Sequence, residues 1–295
     1  MFISEFLALG AATCIAMSGM LINELNGRVG LFRLARWQLL AAFGMTASAA
    51  VVTGGWRSLE GWHVGALATS SLFGIMIAST TYFAAIYAAG PRVTALLFSL
   101  TSPFALILGY LVLGETIDLQ QALGVVLVLA GILLAIGLPG AASATEATSR
   151  QRISRTGIAL GLVTALGQAL GSLCARPAMA DGVEPFTAMA VRSGFAAVFF
   201  VVLAFVPLRP LRSSEAFSWK ALGLGVTASF FGTGLGMSLL MAALAGGNVG
   251  IVSTLSSMTP VVILPMLWIR TGVAPRPSAW LGAGLAVVGT GLISL

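Results

Sequence analysis

Residues 89–103, AGPRVTALLFSLTSP, and residues 246–260, GGNVGIVSTLSSMTP, are two copies of one pattern. Each copy begins with a turn of small residues, continues as an apolar run that carries serine and threonine, and ends at a proline inside a longer hydrophobic segment. The two prolines, Pro103 and Pro260, lie 157 positions apart. Because a proline inside a helix removes a backbone donor and displaces a carbonyl, the pattern predicts two equivalent helix kinks at these residues.

The composition assigns the chain to the membrane. Apolar residues make up 58% of its 295 positions and charged residues 8%, and the mean hydropathy is +1.01. A soluble domain is excluded by these values, and apolar runs of about 20 residues recur along the whole length. The sequence predicts an all-α membrane protein with ten transmembrane helices. The expected spans are 4–22, 34–53, 62–88, 93–113, 119–138, 156–180, 186–206, 219–244, 249–269 and 278–295.

The ten spans fall into two related halves. At an offset of 157, Trp62 aligns with Trp219, and at a neighbouring offset Arg36 aligns with Arg192. Each half has five spans, so the second half enters the membrane from the opposite side and the two form inverted repeats. The predicted organisation is a five-helix repeat at 1–138, a polar linker at 139–155 and a second five-helix repeat at 156–295.

The kinks indicate where a polar path crosses the membrane. Each proline frees the carbonyl four residues earlier, that of Ser99 or Ser256, and a freed carbonyl in lipid must face a partner or water. Thr101 and Ser257 stand beside these residues. The alternative is that the hydroxyl groups bond back to their own helices or across helices.

Other polar and adaptable residues lie within the predicted spans. The Tyr82 phenol and the Gln168 amide each need a hydrogen-bond partner at that depth, which either a solute or a neighbouring helix supplies. An apolar wall for varied side chains is expected from Met17, Phe98 and Met237, with ordinary packing as the alternative. The predicted solute-binding residues are Met17, Tyr82, Phe98, Ser99, Thr101, Gln168, Met237, Ser256 and Ser257.

Charged residues are scarce inside the spans. All nine acidic residues, Glu5 among them, fall at predicted span ends or in loops, which favours a facilitator or exchanger over a proton-coupled pump. Arg36 and Arg192 lie just inside their spans, and either snorkel to the headgroups or contact a carboxylate at one mouth of the path. His63 is the only histidine and two cysteines are present, so we expect no catalytic residues, no metal site and no cofactor.

Basic residues in the loops are distributed asymmetrically. Alternate loops hold eleven of them on one side and two on the other. The eleven are Arg28, Arg33, Arg92, Arg150, Arg152, Arg155, Arg209, Arg212, Lys220, Arg270 and Arg276, and the two are Arg57 and Arg176. The positive-inside rule makes the first side cytoplasmic and places both termini outside.

These features together resemble the EamA domain of the drug/metabolite transporter superfamily. The resemblance rests on the small-residue turn, the Ser/Thr-rich helix with its proline, the sequence Leu113-Gly114-Glu115, and Arg36 and Arg192 near the start of the second span of each half. It covers nearly the whole chain as two units. In the second unit Gly272 stands in the place of Glu115, and the Leu-Gly-Glu signature is missing. Many relatives have cytoplasmic termini, so the resemblance and the arginine count leave both orientations open.

The resemblance implies a ten-helix carrier of the inner (plasma) membrane that exports metabolites, with the YddG-like amino-acid exporters as one subgroup. The expected activity is export of small metabolites by alternating access, with amino acids, aromatic or neutral, as the first candidates. Export of drugs or other organic solutes is the alternative, and a non-transporting membrane scaffold a third. The expected partners are a small-molecule solute and the lipid bilayer, with no nucleic acid. Glycines repeat every seven residues in the fifth and tenth predicted spans, either for packing within a monomer or as the face of a homodimer.

Overall fold

The computed structural model describes residues 2–25, 29–89, 91–136, 154–205, 218–272 and 277–294, and these residues fold as helices with short connections. The helices of the first half are α1 Phe2–Asn23, α2 Leu31–Thr53, α3 Gly61–Ser71, α4 Ala78–Ala89, α5 Pro91–Phe98, α6 Thr101–Leu113 and α7 Leu119–Ile136. Those of the second half are α8 Arg155–Ala180, α9 Pro185–Leu203, α10 Trp219–Ser229, α11 Met237–Gly246, α12 Val249–Ser256, α13 Thr259–Thr271 and α14 Pro277–Ser294.

These helices form ten spans within the described residues. Span 3 consists of α3 and α4, span 4 of α5 and α6, span 8 of α10 and α11, and span 9 of α12 and α13. The single helices α1, α2, α7, α8, α9 and α14 form spans 1, 2, 5, 6, 7 and 10. Six of the helical rods are long and apolar enough to cross a membrane, and α6, α7 and α14 contain shorter apolar stretches. The predicted class, an all-α membrane protein, is confirmed.

The packing has the symmetry of two inverted repeats. α1 of the first half packs against α11 of the second half, and α8 of the second half packs against α4 of the first half, which is the equivalent pair. Two further contacts join equivalent helices directly, α2 with α9 and α7 with α14. This arrangement confirms two inverted five-helix repeats around a shared centre.

The register between the halves differs by one residue from the predicted value in the last three spans of each repeat. The equivalent helices α3 and α10, α5 and α12, α6 and α13, and α7 and α14 all begin 158 positions apart. The offset of 157 that aligns Trp62 with Trp219 is therefore one residue short for spans 3 and 4, although Pro103 and Pro260 do lie at that spacing. The first turn of a helix accepts proline because its backbone N–H groups have no partner there. Pro103 is the third residue of α6 and Pro260 the second of α13, so the prolines shift by one while the helices keep their register.

Spans 4 and 9 are interrupted rather than merely kinked. The chain leaves α5 after Phe98 and resumes helical structure at Thr101, and it leaves α12 after Ser256 and resumes at Thr259. Each proline lies in the first turn of the second half-helix. Broken helices of this kind occur in membranes where the irregular backbone is buried in protein or lines a cavity.

Spans 3 and 8 contain π-helical turns that the sequence analysis did not anticipate. They cover Leu72–Ile77 and Phe230–Gly236, again in equivalent positions. The residue before each turn is a fully buried serine that donates to a backbone carbonyl of a neighbouring span. Ser71 donates to Arg192 at 2.6 Å, and Ser229 donates to Gln38 at 2.6 Å. These bonds fasten spans 3 and 8 to spans 7 and 2.

The seven-residue glycine repeat serves packing within one chain. A Cβ on Gly124 of α7 would lie 2.7 Å from the carbonyl oxygen of Gly289, and one on Gly289 of α14 would lie 2.8 Å from the backbone nitrogen of Val128. Only glycine permits this approach of α7 to α14. The predicted linker at 139–155 falls almost entirely outside the described residues, so the domain boundaries stay a prediction.

Candidate functional site

A cavity of about 500 Å³ lies at the centre of the bundle, between the two repeats. We name the two ends of the bundle by their described basic residues: the arginine-rich end carries Arg33, Arg155, Lys220 and Arg270, and the arginine-poor end carries Arg57 and Arg176. The cavity is lined from mid-depth, at the breaks in spans 4 and 9, toward the arginine-rich end, where Ile22 and Ala35 belong to its wall.

The two ends of the bundle are packed differently. At the arginine-poor end α6 packs closely against α12. The equivalent pair at the arginine-rich end is α13 and α5, which do not pack against each other in this way over their described residues. The bundle is thus closed on one side of the cavity, and the symmetry-related closure on the other side is not formed.

The closed end depends on a glycine contact and a buried hydrogen bond. A Cβ added to Gly250 of α12 would overlap the side chain of Leu106 on α6 and would lie 2.8 Å from its Cα. Ser102 and Thr254 hydrogen-bond across the same interface, and both side chains are fully buried. The close approach of α6 and α12 therefore requires glycine at position 250.

The Leu-Gly-Glu signature forms a second set of contacts at this end. Gly114 ends α6 with φ 65°, which places the Glu115 N–H on the carbonyl of Gly109 at 3.1 Å. The Glu115 carboxylate then accepts the N–H of Val249, the first residue of α12, at 2.7 Å. It also forms an ion pair with Nε of Arg176 at 3.4 Å, with both side chains largely buried. One carboxylate thus joins spans 4, 6 and 9, in a position that favours negative charge at a helix N-terminus.

The second repeat lacks an equivalent contact over its described residues. Gly272 ends α13 with φ 68°, as Gly114 ends α6, so Gly272 corresponds to Gly114 and not to Glu115 as the 157 offset suggested. At the arginine-rich end, an ion pair between Arg270 and Glu24 joins α13 to the end of span 1, but both side chains are a third to a half exposed.

Eight of the nine predicted solute-binding residues line the cavity. Five of them lie at or beside the helix breaks, namely Phe98, Ser99, Thr101, Ser256 and Ser257. Tyr82 of α4, Gln168 of α8 and Met237 of α11 complete the group. Met17 is half-buried on α1 and is not part of the wall. The break residue Pro260 lines the cavity, whereas Pro103 does not. That the eight wall residues contact a solute stays a prediction.

The polar groups of the wall differ in how fully they are satisfied. Thr101 donates to the Phe98 carbonyl at 2.7 Å, and Ser257 donates to the Ser253 carbonyl at 2.7 Å, so these hydroxyls keep only acceptor capacity. Among the described residues none hydrogen-bonds the side chain of Tyr82 or Gln168. Unpaired polar groups facing a cavity are available to a solute or to water.

One side of the cavity is aromatic. Tyr82 packs edge-to-face against Phe98 with ring centroids 5.8 Å apart and against Phe83 at 6.1 Å. Phe83 in turn packs against Phe32 at 5.4 Å. The free Tyr82 hydroxyl is therefore held at the edge of a rigid apolar surface, which suits a solute with both a polar group and an apolar body.

Several residues of the cavity wall are not among the nine predicted from the sequence. Gln38 of α2, Ser172 of α8 and Thr233 of the second π-helical turn line the cavity. Gln38 and Ser172 are polar residues within predicted spans, and that signal was present in the sequence. Thr233 lies on a π-helical turn, whose extra residue changes which face of the helix a side chain occupies.

Arg192 and Glu5 are among the ionisable side chains of the described residues that are buried outside the cavity wall. Arg192 of α9 is 1% exposed and does not snorkel. Glu5 of α1 is 4% exposed, and neither of its carboxylate oxygens has a hydrogen-bond partner. Glu5 lies in the first turn of its span, as predicted, yet the protein interior surrounds it.

Comparison with known proteins is consistent with this fold. No curated protein has a significant match to the sequence. A crystal structure of another protein superposes with a TM-score of 0.81 over 98% of this chain and 95% of the other, at 17% sequence identity, which supports the fold alone. The EamA-like transporter family matches residues 2–137 and 155–295, one match for each five-helix repeat. The chain therefore belongs to the EamA-like transporter family, as a multi-pass membrane protein that moves small solutes.

Proposed function

We propose that this protein exports small zwitterionic metabolites, above all amino acids, from the cell across the inner (plasma) membrane. The observation that carries the proposal is the composition of the cavity wall. The free Tyr82 hydroxyl and Gln168 amide lie beside an aromatic surface, and the described wall carries no charged side chain. A neutral wall of this kind accepts a solute without net charge, whose polar groups bond the hydroxyl and amide while its side chain packs on the rings.

The packing asymmetry supports transport by alternating access. The closed pair α6 and α12 and the separated pair α13 and α5 are equivalent by the inverted repeat. If the two repeats exchange conformations, the first pair separates as the second closes, and the cavity opens to the opposite side of the membrane. Under the orientation expected from the arginine count, the present state faces the cytoplasm and is ready to load a solute for export.

Export of drugs or other organic solutes is a second candidate. It is favoured by the apolar part of the wall, where Met237 and the rings of Phe83 and Phe98 form an adaptable surface. Such solutes form fewer hydrogen bonds with the Gln168 amide and the Tyr82 hydroxyl than an amino acid does. Substitution of these two residues should therefore affect the transport of the two solute classes differently.

Purified protein reconstituted into liposomes tests both candidates with labelled amino acids, amines and sugars. We expect amino acids to enter faster than into empty vesicles, and Tyr82→Phe and Gln168→Leu each to reduce the rate about tenfold, because each removes one hydrogen bond to the solute. Gel filtration of each variant should show wild-type amounts of folded protein. The amino-acid proposal fails if none of them moves, and faster entry of amines alone favours drug export. Equal losses of transport and folded protein would make the two residues structural.

The same vesicles test coupling. Because the described cavity wall carries no acidic, histidine, lysine or arginine side chain, a pH gradient should leave the uptake rate unchanged. Strong stimulation by the gradient would contradict this facilitator mechanism. The buried Glu5 carboxylate would then be the candidate proton site, and a Glu5→Gln variant whose uptake no longer responds to the gradient would identify it.

A further inference from the structure

Arg192 is the largest fully buried side chain in the described chain. It is the eighth residue of α9, two turns inside span 7, and the carbonyl of the same residue accepts the hydroxyl of Ser71. Its side chain therefore starts from a well-fixed backbone and extends between spans 3, 6, 7 and 8 instead of toward the membrane surface.

The positive charge of Arg192 is not neutralised by the described protein. Its Nη1 donates to the sulfur of Met241 at 3.1 Å and to that of Met189 at 3.7 Å, and its Nε has no acceptor. Thioether sulfurs are weak acceptors without charge. The described carboxylates that form ion pairs bond His63, Arg176 and Arg270 instead. A buried cation without a counter-charge is costly in a membrane, and such residues generally belong to a solute or ion pathway.

The guanidinium lies directly behind the cavity wall. Nη2 of Arg192 is 3.1 Å from the point where a Cβ on Gly74 would stand, and Gly74 lines the cavity. The other neighbour of that point is Gly171, whose Cα is 3.0 Å away. Gly171 is flanked along α8 by Gln168 and Ser172, which also line the cavity. Two glycines therefore leave the wall thinnest where the uncompensated charge lies.

We propose that the cavity selects solutes that carry a carboxylate, and that Arg192 attracts this carboxylate across the backbone of Gly74 and Gly171, which pack directly against each other. The proposal rests on the proposed function, which it makes more specific. A carboxylate in the cavity supplies the missing counter-charge, and the low dielectric of the protein interior strengthens its attraction to the guanidinium. Gln168 and Ser172 line the cavity next to Gly171 in the sequence and bond the remaining polar groups, and the rings of Tyr82 and Phe98 accommodate the solute side chain.

The test compares phenylalanine with phenylalaninamide, in which a carboxamide replaces the carboxylate, as labelled probes in proteoliposomes. Wild-type protein should move phenylalanine at least tenfold faster than the amide. Arg192→Gln should lower the phenylalanine rate at least tenfold and leave the amide rate within twofold, and Arg192→Lys should restore part of the preference. Arg57→Gln, which removes an exposed charge at the arginine-poor end, should behave as wild type.

Thermal melting separates recognition from structure. Because Arg192→Gln removes a buried uncompensated charge, its melting temperature without solute should equal or exceed that of the wild type. A lower melting temperature with equal losses for both probes would overturn the proposal, as would equal wild-type rates for the two probes. If neither probe is transported, the amino-acid function fails. The carboxylate site is then tested separately, by comparing the effects of benzoate and benzamide on the melting temperature. Benzoate should then raise the melting temperature of wild type but not of Arg192→Gln, and absence of that difference would reject a carboxylate site.

Discussion

Transport by a Gly250→Val variant is expected to fall about tenfold to a hundredfold, with the cavity opened to the arginine-poor end. Gly250 is the point where α12 meets α6, and even a Cβ there would lie 2.8 Å from the Cα of Leu106. Since the obstacle is backbone as well as side chain, the helices must separate for valine to fit. Overpacking of this kind costs about 1–3 kcal/mol or more, so the closed arrangement loses on the order of tenfold to a hundredfold in population.

The control for this substitution is Gly284→Val on α14, where a Cβ meets nothing within 4 Å. It introduces the same β-branched residue into a membrane helix and should transport at nearly the wild-type rate. Transport is measured in proteoliposomes, and access to the cavity by reaction of a cysteine in its wall with an impermeant thiol reagent. A Gly250→Val protein that is monodisperse and transports normally would show that closure of α6 on α12 is not part of the cycle.

Glu115→Ala is expected to weaken the same closure by removing its charged contacts. The carboxylate accepts the Val249 N–H at 2.7 Å and pairs with Arg176 at 3.4 Å, and its side chain is only 14% exposed. Removing one partner of a largely buried pair leaves the other without compensation, at about 2–3 kcal/mol, or on the order of 30-fold to 150-fold in the ratio of closed to open states. We expect transport to drop at least tenfold.

Two variants give this second prediction its controls. Glu115→Gln keeps an oxygen for the Val249 N–H but loses the charge, so its effect should be intermediate. Glu24→Ala removes the ion pair with Arg270 at the other end, where both side chains are a third to a half exposed, and such pairs contribute less than about 1 kcal/mol. Equal effects of Glu24→Ala and Glu115→Ala would contradict a specific role for the Leu-Gly-Glu signature.

The general architecture was predictable because hydropathy and repetition act over long stretches. Runs of about 20 apolar residues mark the spans whatever their detailed packing, and five spans per half require an inverted second repeat. The serine and threonine residues before Pro103 and Pro260 indicated the centre of the bundle correctly, since breaks in membrane helices are tolerated where a cavity accommodates them.

The finer structure depends on contacts between distant residues. The π-helical turn at Leu72–Ile77 begins directly after Ser71, whose hydroxyl donates a hydrogen bond to the Arg192 carbonyl. No local sequence pattern predicts that hydrogen bond. The burial of Arg192 was equally hidden, because an arginine two turns inside a span reaches the headgroups or the interior depending on which face meets Gly74 and Gly171. In an almost uniformly apolar chain, hydrophobic periodicity does not separate lipid-facing from interior positions, which is why Met17 was placed in the cavity wall.

The cavity opens at the arginine-rich end and is closed by α6 and α12 at the other, and this direction of access can be measured. The most direct measurement is the reaction rate of Ser256→Cys, made in a Cys14→Ser, Cys174→Ser background, with an impermeant thiol reagent added to either face of membrane vesicles. Lys220→Cys and Arg57→Cys, both at exposed positions, identify the two faces. We predict that Ser256→Cys reacts at least tenfold faster from the face that labels Lys220→Cys. Faster or equal reaction from the face that labels Arg57→Cys, or no reaction from either, would contradict the claim.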